Sequence, residues 1–358
     1  MRILQVITSL ETGGAEVLVV NLVPRFRALG HEVDVCVFNG RRTPLMDRLE
    51  KENPGVRIHK LGHGYYNPFY ILKLARIMRG YDIVHTHNSS PQLFVALASV
   101  LCSVGLCTTE HNTSNRKRAW KWYALIDRWM YNRYSHIICI SRKTQENLML
   151  YIGNTKAKVC TIHNGINVEE YIQAHSMKDI AKNRIIVTMV AGFRYQKDHE
   201  TLIKAFALLN KDKFELWLVG DGERRLIIES FIKELKVKGV IKFWGIRTDV
   251  PNILKSSDIV VVSSHWEGFG LAAVEGMAAG KPVIASNVDG LAQIVGGYGV
   301  LFPHQNANVL ALEIKKLAGN RDYYHSIVER CMNRAEQFDI AKMVNSYESL
   351  YETMRCRC

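Results

Sequence analysis

Short runs of consecutive apolar residues recur along the chain, separated by stretches in which apolar positions repeat every three or four residues. Most of the runs are rich in Val and Ile, which is typical of parallel strands buried on both faces. The amphipathic stretches between them indicate helices. Alternating strands and helices predict an α/β fold with mostly parallel sheets.

The alternation runs through the chain twice. In the first half the predicted strands are 3–8, 33–38, 56–60, 83–85, 106–110, 136–140 and 159–162, and the helices include 15–29 and 91–102. In the second half the predicted strands are 185–190, 215–219, 240–243, 259–262, 282–285 and 299–301, and the helices are 198–209, 223–235 and 271–279. The polar stretch 168–183 separates the two series. We therefore predict a doubly wound domain at 1–167, a second at 184–338, and a C-terminal helix within 339–358 that crosses back to the first domain.

Composition narrows the class of protein. No stretch of about 18 or more uncharged apolar residues occurs, so no membrane-spanning helix is predicted. The N-terminal residues fit a first strand better than a signal peptide, and we expect a cytoplasmic protein. The eight cysteines lack zinc-site spacing and are expected to be reduced core residues.

The net charge of +13 is uneven. Residues 1–165 hold 22 Lys and Arg against 11 Asp and Glu, whereas residues 166–358 hold 25 against 23. Such asymmetry indicates that the first half faces an anionic partner. Nucleic acid, anionic lipid and a phosphate-bearing substrate all satisfy this condition.

A glycine pair follows the first predicted strand and opens the first helix. Gly13 and Gly14 allow the backbone to approach a phosphate, and the helix N-terminus supplies free N–H groups. The full G-x-G-x-x-G pattern of a nicotinamide site is absent. A tight turn without a ligand fits the same residues.

The second domain has an equivalent loop after strand 185–190. Arg194 and Lys197 lie three residues apart at a predicted helix start, where both can point at a diphosphate. Arginine offers a planar fork and lysine a point charge, a suitable pair for one pyrophosphate. An exposed basic turn is the alternative.

The most informative segment is 263–275. Glu267 lies in a loop punctuated by Gly268 and Gly270, and Glu275 falls one turn into the helix that begins near Leu271. Carboxylates can accept hydrogen bonds from hydroxyls, while the helix N-terminus donates to a phosphate. This combination indicates a ligand that carries both hydroxyl groups and a phosphate.

Glu267 and Glu275, with seven residues between them and Gly-Phe-Gly-Leu at 268–271, resemble the motif of the retaining family 4 glycosyltransferases. The resemblance covers essentially the whole chain. Further matching motifs are Gly-Gly-Ala-Glu at 13–16, Glu-His-Asn at 110–112, Ile-Ser at 140–141, His-Asn-Gly-Ile at 163–166, Gly-Asp-Gly at 220–222 and Gly-Lys-Pro-Val-Ile-Ala at 280–285. It implies the GT-B fold, two facing Rossmann-like domains. It also implies retaining transfer from a nucleotide sugar, with protein cations in place of a metal. The absence of an Asp-x-Asp motif fits this expectation.

The resemblance also implies roles for individual residues. Arg194 and Lys197 match the pair that binds the donor diphosphate and stabilises the leaving nucleotide. Glu275 matches the acid on the ribose, Glu267 the acid on the donor sugar, and His111 a histidine near the reaction centre. The remaining implied donor contacts are Gly14 at the diphosphate, the backbone of Phe269, Gly270 and Leu271 at sugar and phosphate, and the backbone around Gly245 and Arg247 at the base. No cofactor is implied.

Basic and aromatic residues interleave after His111. The segment holds Arg116, Lys117, Arg118, Trp120, Lys121 and Trp122. This composition is typical of an interfacial helix on anionic lipid. Because the N-terminal domain takes the acceptor in the resembled family, we expect a glycan or polyprenyl-diphosphate-linked acceptor at the inner face of a membrane. A core helix with a solvated basic face is the alternative, and a nucleic-acid partner is disfavoured by the sugar-nucleotide motifs.

The expected reaction is therefore transfer of a hexose or N-acetylhexosamine, from a UDP-sugar by preference, in surface polysaccharide or glycoconjugate synthesis. Two other functions stay open. A non-hydrolysing sugar-nucleotide epimerase resembles this fold, although the Glu267 and Glu275 pattern argues against it. An inactive nucleotide-sugar-binding subunit is the other, although the matched motif residues are all present.

Overall fold

The computed structural model describes residues 1–11, 13–111, 123–177 and 184–355 of the 358-residue chain. Within these ranges the chain folds into two units. The first consists of Met1–Gly165 together with the helix that begins at Ile340, and the second consists of Ile166–Asp339.

The first unit is built on a parallel sheet. Its described strands are β1 (Arg2–Ile7), β2 (Glu32–Asn39), β3 (Ile58–Gly62), β4 (Ile83–His87), β5 (Gly105–Glu110), β6 (His136–Cys139) and β7 (Lys158–Thr161). They lie side by side in the order β3-β2-β1-β4-β5-β6-β7. The described helices between them are α1 (Gly14–Ala28), α2 (Pro44–Glu52), α3 (Phe69–Met78), α4 (Ser89–Ala98), α5 (Tyr123–Tyr131) and α6 (Arg142–Ile152). The strand order reverses between β1 and β4, where sheets of this kind bind ligands beyond the strand ends.

Strand β1 shows why the apolar runs form this sheet. Ile3 and Ile7 belong to one core cluster, whereas Leu4 and Val6 belong to another. All four side chains are fully buried. Because successive side chains of a strand point to opposite faces, helices must cover both faces of the sheet.

The second unit repeats this architecture. Its described strands are β8 (Ile185–Val190), β9 (Phe214–Val219), β10 (Ile241–Gly245), β11 (Ile259–Val262), β12 (Val283–Ser286) and β13 (Val300–Phe302), in the order β10-β9-β8-β11-β12-β13 and all parallel. Its described helices are α7 (Val168–Ile172), α8 (His199–Ala207), α9 (Arg225–Glu234), α10 (Val250–Ser256), α11 (Leu271–Ala278), α12 (Asp289–Val295), α13 (Ala307–Gly319) and α14 (Arg321–Ala335). The strand order reverses between β8 and β11, which places the loops after these two strands side by side.

The C-terminal helix, α15 (Ile340–Arg355), packs on the first unit. Tyr347 and Tyr351 are fully buried in the core cluster that also contains Ile3 and Phe26. The Tyr351 hydroxyl lies 2.6 Å from Nδ1 of His85 on β4. The predicted α/β fold, with two doubly wound domains and a helix returning to the first, is confirmed.

Several element boundaries differ from the sequence prediction by one or two residues, as helix and strand ends commonly do. The larger difference lies in the polar stretch 168–183, whose first residues form the helix α7. Val168 and Tyr171 are its buried positions. In the part of the chain that the structure describes, no helix combines the length and apolar character needed to cross a bilayer.

Candidate functional site

Two glycine-rich turns meet at the carboxyl ends of β8 and β9. A Cβ on Gly220, whose φ is +127°, would lie 2.1 Å from the carbonyl oxygen of Ala191. A Cβ on Gly222 would lie 2.7 Å from the carbonyl oxygen of Phe193. Such approaches exclude any larger residue at these two positions. The glycines thus let the two turns pack backbone against backbone and fix the path of the chain that follows Phe193.

Both predicted cations lie on that following segment. Arg194 is exposed, and its guanidinium makes no hydrogen bond or ion pair within the described residues. Lys197 closes a short 3₁₀ turn, and its Nζ donates to Oε2 of Glu267 at 2.5 Å. One cation is therefore available to an incoming anion, while the other is already held by a carboxylate from the loop after β11.

The loop after β11 is held in shape by close backbone contacts. A Cβ on Gly290 would lie 2.2 Å from the carbonyl oxygen of Glu267. Gly270 has φ of +97° and caps α11, and a Cβ there would lie 2.5 Å from Cδ2 of Leu291. Ser264 Oγ lies 3.4 Å from Glu267 Oε2, a second contact to the carboxylate. Glu267 is therefore fixed at both its backbone and its side chain.

Helix α11 begins at Leu271, directly after the left-handed Gly270. Phe269 is buried against the ring of Phe338, with the ring centroids 5.3 Å apart. The side chain of Phe269 thus anchors the loop. The first N–H groups of a helix have no acceptor within it, so the start of α11 presents donors and a partial positive charge.

Glu275 lies one turn into α11. Burial of its carboxyl raises the pKa to about 7, while a hydrogen bond from Tyr171 and the charge of Lys197 lower it, and the charge of Glu170 raises it. A carboxyl with this pKa is divided between its charged and neutral forms near neutral pH. A ligand that donates hydrogen bonds would favour the charged form.

Gly245 and Arg247 follow β10. Gly245 has φ of +66°, and among the described residues no atom outside its chain neighbours lies within 4 Å of the position of a Cβ. Arg247 is engaged instead, since its Nε and Nη2 donate to the two carboxylate oxygens of Asp249 at 2.7 and 2.6 Å. Open space therefore adjoins the backbone of Gly245, whereas the guanidinium of Arg247 already has a bidentate partner.

In the first unit, Gly14 is the first residue of α1, the helix that follows β1. Glu16 lies in the first turn of this helix, and its Oε1 accepts from Nδ2 of Asn88 at 3.3 Å. Asn88 follows β4 with φ of +70°. The start of α1 and the end of β4 are thus tied together at the switch point of this sheet.

His111, at the end of β5, belongs to a chain of buried polar side chains. Its Nε2 lies 3.0 Å from Nδ1 of His87, whose Nε2 lies 2.8 Å from Oε1 of Gln5. The amide of Gln5 in turn donates from Nε2 to the Tyr351 hydroxyl at 3.3 Å. This hydrogen-bond network therefore runs from α15 through β1 and β4 to the C-terminal end of β5.

These contacts determine the tautomers of both histidines. The amide oxygen of Gln5 can only accept, so Nε2 of His87 carries its proton and Nδ1 is bare. His111 must then donate from Nε2, which leaves its own Nδ1 as a bare acceptor. Burial lowers the pKa of His111 to about 4, and burial together with the neighbouring rings of His85 and His111 holds the pKa of His87 well below its ordinary range. Both rings are neutral at physiological pH.

The basic and aromatic residues expected at the acceptor or membrane lie outside the described residues. They are Arg116, Lys117, Arg118, Trp120, Lys121 and Trp122.

Two family models match consecutive parts of the chain. The model described as Glycosyltransferase Family 4 matches residues 12–170, and the model described as Glycosyl transferases group 1 matches residues 172–334. Together they span both units. The chain is therefore a glycosyltransferase, matched by the family 4 model over its first part and by the group 1 model over its second.

Known relatives cover most of this glycosyltransferase. It is 25% identical to the N-acetyl-alpha-D-glucosaminyl L-malate synthase of Bacillus anthracis, over 95% of this chain and 93% of the relative. It is 26% identical to the UDP-Gal:alpha-D-GlcNAc-diphosphoundecaprenol alpha-1,3-galactosyltransferase of Escherichia coli, over 76% of each. The Anabaena protein HepE, solved with UDP and glucose, superimposes with a TM-score of 0.87 over 99% of this chain and all of that one, at 22% identity. The last comparison confirms the GT-B fold.

The second unit of the glycosyltransferase brings Lys197 and Glu267 into direct contact at the carboxyl ends of β8 and β11. Sequence reasoning missed Tyr171, because its segment was interpreted as a linker. It also missed His87 and Gln5. A polar residue within an otherwise apolar strand, such as Gln5 in β1, was the available signal for a buried network.

We predict that His111 stays neutral, with a bare Nδ1, between about pH 5.5 and 8, because its pKa is about 4. ¹⁵N NMR of the histidine rings distinguishes bare from protonated nitrogens and checks this directly. The variant Gln5→Leu removes the acceptor that orients His87, so both tautomers should become mixed. A protonation step of His111 within this pH range, or a bare Nε2, would contradict the assignment.

The pKa of Glu275 predicts a pH-dependent stability. The pKa is about 7 in the folded chain against an ordinary value of 4.5. The resulting contribution to stability is fully present below pH 4.5 and is lost as the pH rises through 7. Glu275→Gln keeps a neutral side chain at every pH. Between pH 4.5 and 8 its free energy of unfolding should therefore rise by about 3 kcal/mol relative to that of the wild type. Urea unfolding followed by tryptophan fluorescence at several pH values measures the difference.

The control for this experiment is Glu234→Gln, which changes an exposed carboxyl on α9 of the same unit. The difference in the free energy of unfolding between this variant and the wild type should stay nearly constant with pH. A constant difference for Glu275→Gln as well would show that its carboxyl is solvated in the folded chain.

Proposed function

We propose that this glycosyltransferase moves a hexose or N-acetylhexosamine from a UDP-sugar to a glycan or lipid-linked sugar, with retention of configuration and without a catalytic metal. The observation that carries the proposal is the Lys197–Glu267 contact, in a unit where the guanidinium of Arg194 has no partner among the described residues. This contact joins a cation to a carboxylate, and along the sequence Arg194 lies three residues before Lys197 and α11 begins four residues after Glu267. Cations, a carboxylate and helix N–H donors are the groups that a sugar diphosphate needs, which supports the proposal.

The charge that builds on the departing diphosphate is the main electrostatic demand of glycosyl transfer. In our proposal Arg194 binds it through its planar fork. Lys197 contributes a second cation, because an ammonium has three donors and can keep Glu267 while it binds a phosphate oxygen. The N-terminus of α11, with the amides of Gly270 and Leu271, adds donors that need no reorganisation. These groups supply the charge that a divalent metal would otherwise supply.

The two acids bind hydroxyls in this proposal. Glu267 accepts from the donor sugar and is not assigned as a nucleophile. Glu275 accepts from the ribose, and the hydroxyl donors together with the nearby Lys197 stabilise its charged form. The open backbone of Gly245 borders the base. For Arg247 we assign only its backbone, because its guanidinium is bound to Asp249.

Gly14 and His111 of the first unit are assigned to the donor from the resemblance to family 4. The start of α1 at Gly14 offers N–H donors to the diphosphate. A neutral His111 with a bare Nδ1 can accept a hydrogen bond from a sugar hydroxyl. It can also tolerate the positive charge that develops on the sugar ring, which a protonated imidazole would oppose.

The donor and acceptor classes rest on the relatives. The Escherichia coli relative is named for a UDP-sugar and a diphosphoundecaprenol-linked acceptor, and HepE was solved with UDP. The net positive charge of residues 1–165 and the basic–aromatic segment 116–122 are complementary to an anionic lipid or a diphosphate. We therefore propose an acceptor linked to polyprenyl diphosphate and an association with the inner membrane face.

The donor assignment is tested with Arg194→Ala and Lys197→Ala. Each should lower kcat for transfer from UDP-sugars by on the order of 10²–10³, because each removes a charge that stabilises the departing diphosphate. Turnover of UDP-glucose, UDP-galactose and UDP-N-acetylglucosamine is measured with a polyprenyl-diphosphate-linked sugar, with and without EDTA. NMR of the product gives the anomeric configuration.

The matched control is Arg321→Ala, an exposed arginine of the same unit at the start of α14, which should leave turnover unchanged. An inverted product would reject retention, and loss of activity in EDTA would reject metal-free catalysis. A change in the sugar without an acceptor would indicate an epimerase. Absence of turnover with intact UDP binding would indicate a binding subunit.

Membrane association is tested with the triple variant Arg116→Ala, Lys117→Ala and Arg118→Ala. Each basic residue near an anionic surface contributes about 1 kcal/mol, so binding to phosphatidylglycerol vesicles should weaken by roughly 100-fold. Vesicle co-sedimentation at physiological salt measures it. A triple variant of exposed lysines in the second unit, Lys213→Ala, Lys233→Ala and Lys238→Ala, loses the same charge and should bind as the wild type. Equal loss in both variants would reject a specific membrane-facing segment.

A further inference from the structure

A second cluster of chemically active side chains adjoins the Lys197–Glu267 contact. It comprises Asp198 at the start of α8, His265 in the loop after β11 and His304 in the loop after β13. None of the three has a role in the proposed transfer reaction.

The ligand-type atoms of this cluster converge. Nδ1 of His265 lies 2.9 Å from Nε2 of His304 and 3.6 Å from Oδ2 of Asp198. All three atoms lie within 4.8 Å of one another. Ligands at 2.0–2.1 Å from a tetrahedral zinc ion lie roughly 3.3 Å apart, so the observed separations need only small side-chain adjustments to match.

Asp198 provides the second observation. It is 98% buried, with a relative exposure of 2%. Its Oδ1 accepts from the backbone N–H of Thr201 at 3.2 Å and caps α8. Among the residues that the structure describes, no group lies within hydrogen-bonding distance of Oδ2. A buried carboxylate oxygen without a partner is costly, and it is directed at the two imidazoles.

The backbone also holds these groups in place. Asp198 has φ of +43°, a left-handed conformation that few residues other than glycine adopt. The backbone N–H of His265 donates to the carbonyl of Gln196 at 2.8 Å, and its ring packs on Tyr195 with centroids 4.5 Å apart. The backbone therefore holds Asp198 and His265 in position before a ligand binds.

We propose that Asp198, His265 and His304 form a binding site for one divalent first-row transition-metal ion of the zinc class. Two imidazoles and one carboxylate favour zinc, cobalt or nickel over magnesium or calcium, which prefer oxygen ligands. Asp198 Oδ2 gains the partner it lacks, and the metal replaces the proton shared by the imidazoles. Because His304 is exposed and lines a surface cleft of about 550 Å³, water can reach the remaining coordination position.

The bound ion would join three loops at the carboxyl edge of the second sheet. Lys197 immediately precedes Asp198, and Glu267 lies two residues after His265. The ion would therefore hold the backbone on both sides of the Lys197–Glu267 contact. Its role is structural, which is compatible with transfer chemistry that needs no metal at the diphosphate. The site itself does not depend on the proposed function.

The experiment uses the full chain stripped of metal and titrated with Co²⁺ without any nucleotide. We expect visible d–d absorption that saturates at one equivalent and is displaced by Zn²⁺. His304→Ala removes an exposed ligand without disturbing the core. It should weaken binding by at least about tenfold, since loss of even an outer-shell partner costs 10–100-fold.

His325→Ala is the matched control, because it removes another exposed histidine of the same unit outside the cluster. It should bind as the wild type. The variant Cys356→Ser with Cys358→Ser removes two thiols that lie two residues apart near the end of the sequence. Binding that survives this change and is lost in His304→Ala supports the site. No saturable binding, binding unaffected by His304→Ala, or binding lost only with the cysteines would overturn it.

Discussion

The site depends on one geometric constraint, that all strands of each described sheet run parallel with helices on both faces. Every strand then ends at the same edge, and the polar residues that cannot enter the apolar layers collect there. In the second unit this brings the loops after β8 and β11 together, so Lys197 can contact Glu267 across 70 residues of sequence. At Gly220 and Gly290 the backbones of these loops approach their neighbours so closely that a Cβ would clash with a carbonyl oxygen, which fixes the loops in place.

Burial controls the protonation states that the proposed chemistry requires. It keeps His111 neutral, and the acceptor at Gln5 selects the tautomer with a bare Nδ1. The same physical effect raises the pKa of Glu275, yet Lys197 and the hydroxyl of Tyr171 act in the opposite direction. The histidine is thus held in one state, whereas the acid is poised to change state when a ligand binds. In the proposed reaction His111 thus serves as a fixed hydrogen-bond acceptor, whereas Glu275 becomes charged when the ligand binds.

The sequence sufficed for the alternation of strands and helices, because that pattern is imposed locally by burial on both faces of each strand. The positions of Glu267 and Glu275 relative to α11 could also be predicted, since both lie within nine residues of a glycine-punctuated loop and the helix start. Tyr171 could not, because its contact with Glu275 depends on tertiary packing of a segment whose own composition is polar. The hydrogen-bond network from Tyr351 to His111 could not be predicted either, because each of its side chains comes from a different element.

The cluster at Asp198 bears on how this fold manages charge beside an anionic substrate. Asp198 and Glu267 both carry carboxyl groups, and Asp198 directly follows the segment in which Arg194 and Lys197 are proposed to bind a diphosphate. Lys197 compensates Glu267 directly, but no described group donates to Oδ2 of Asp198. A cation at that oxygen would supply the partner that it lacks, next to the segment proposed to bind the diphosphate. The enzyme could then need no metal for the chemical step and still depend on one for the loop geometry that precedes it.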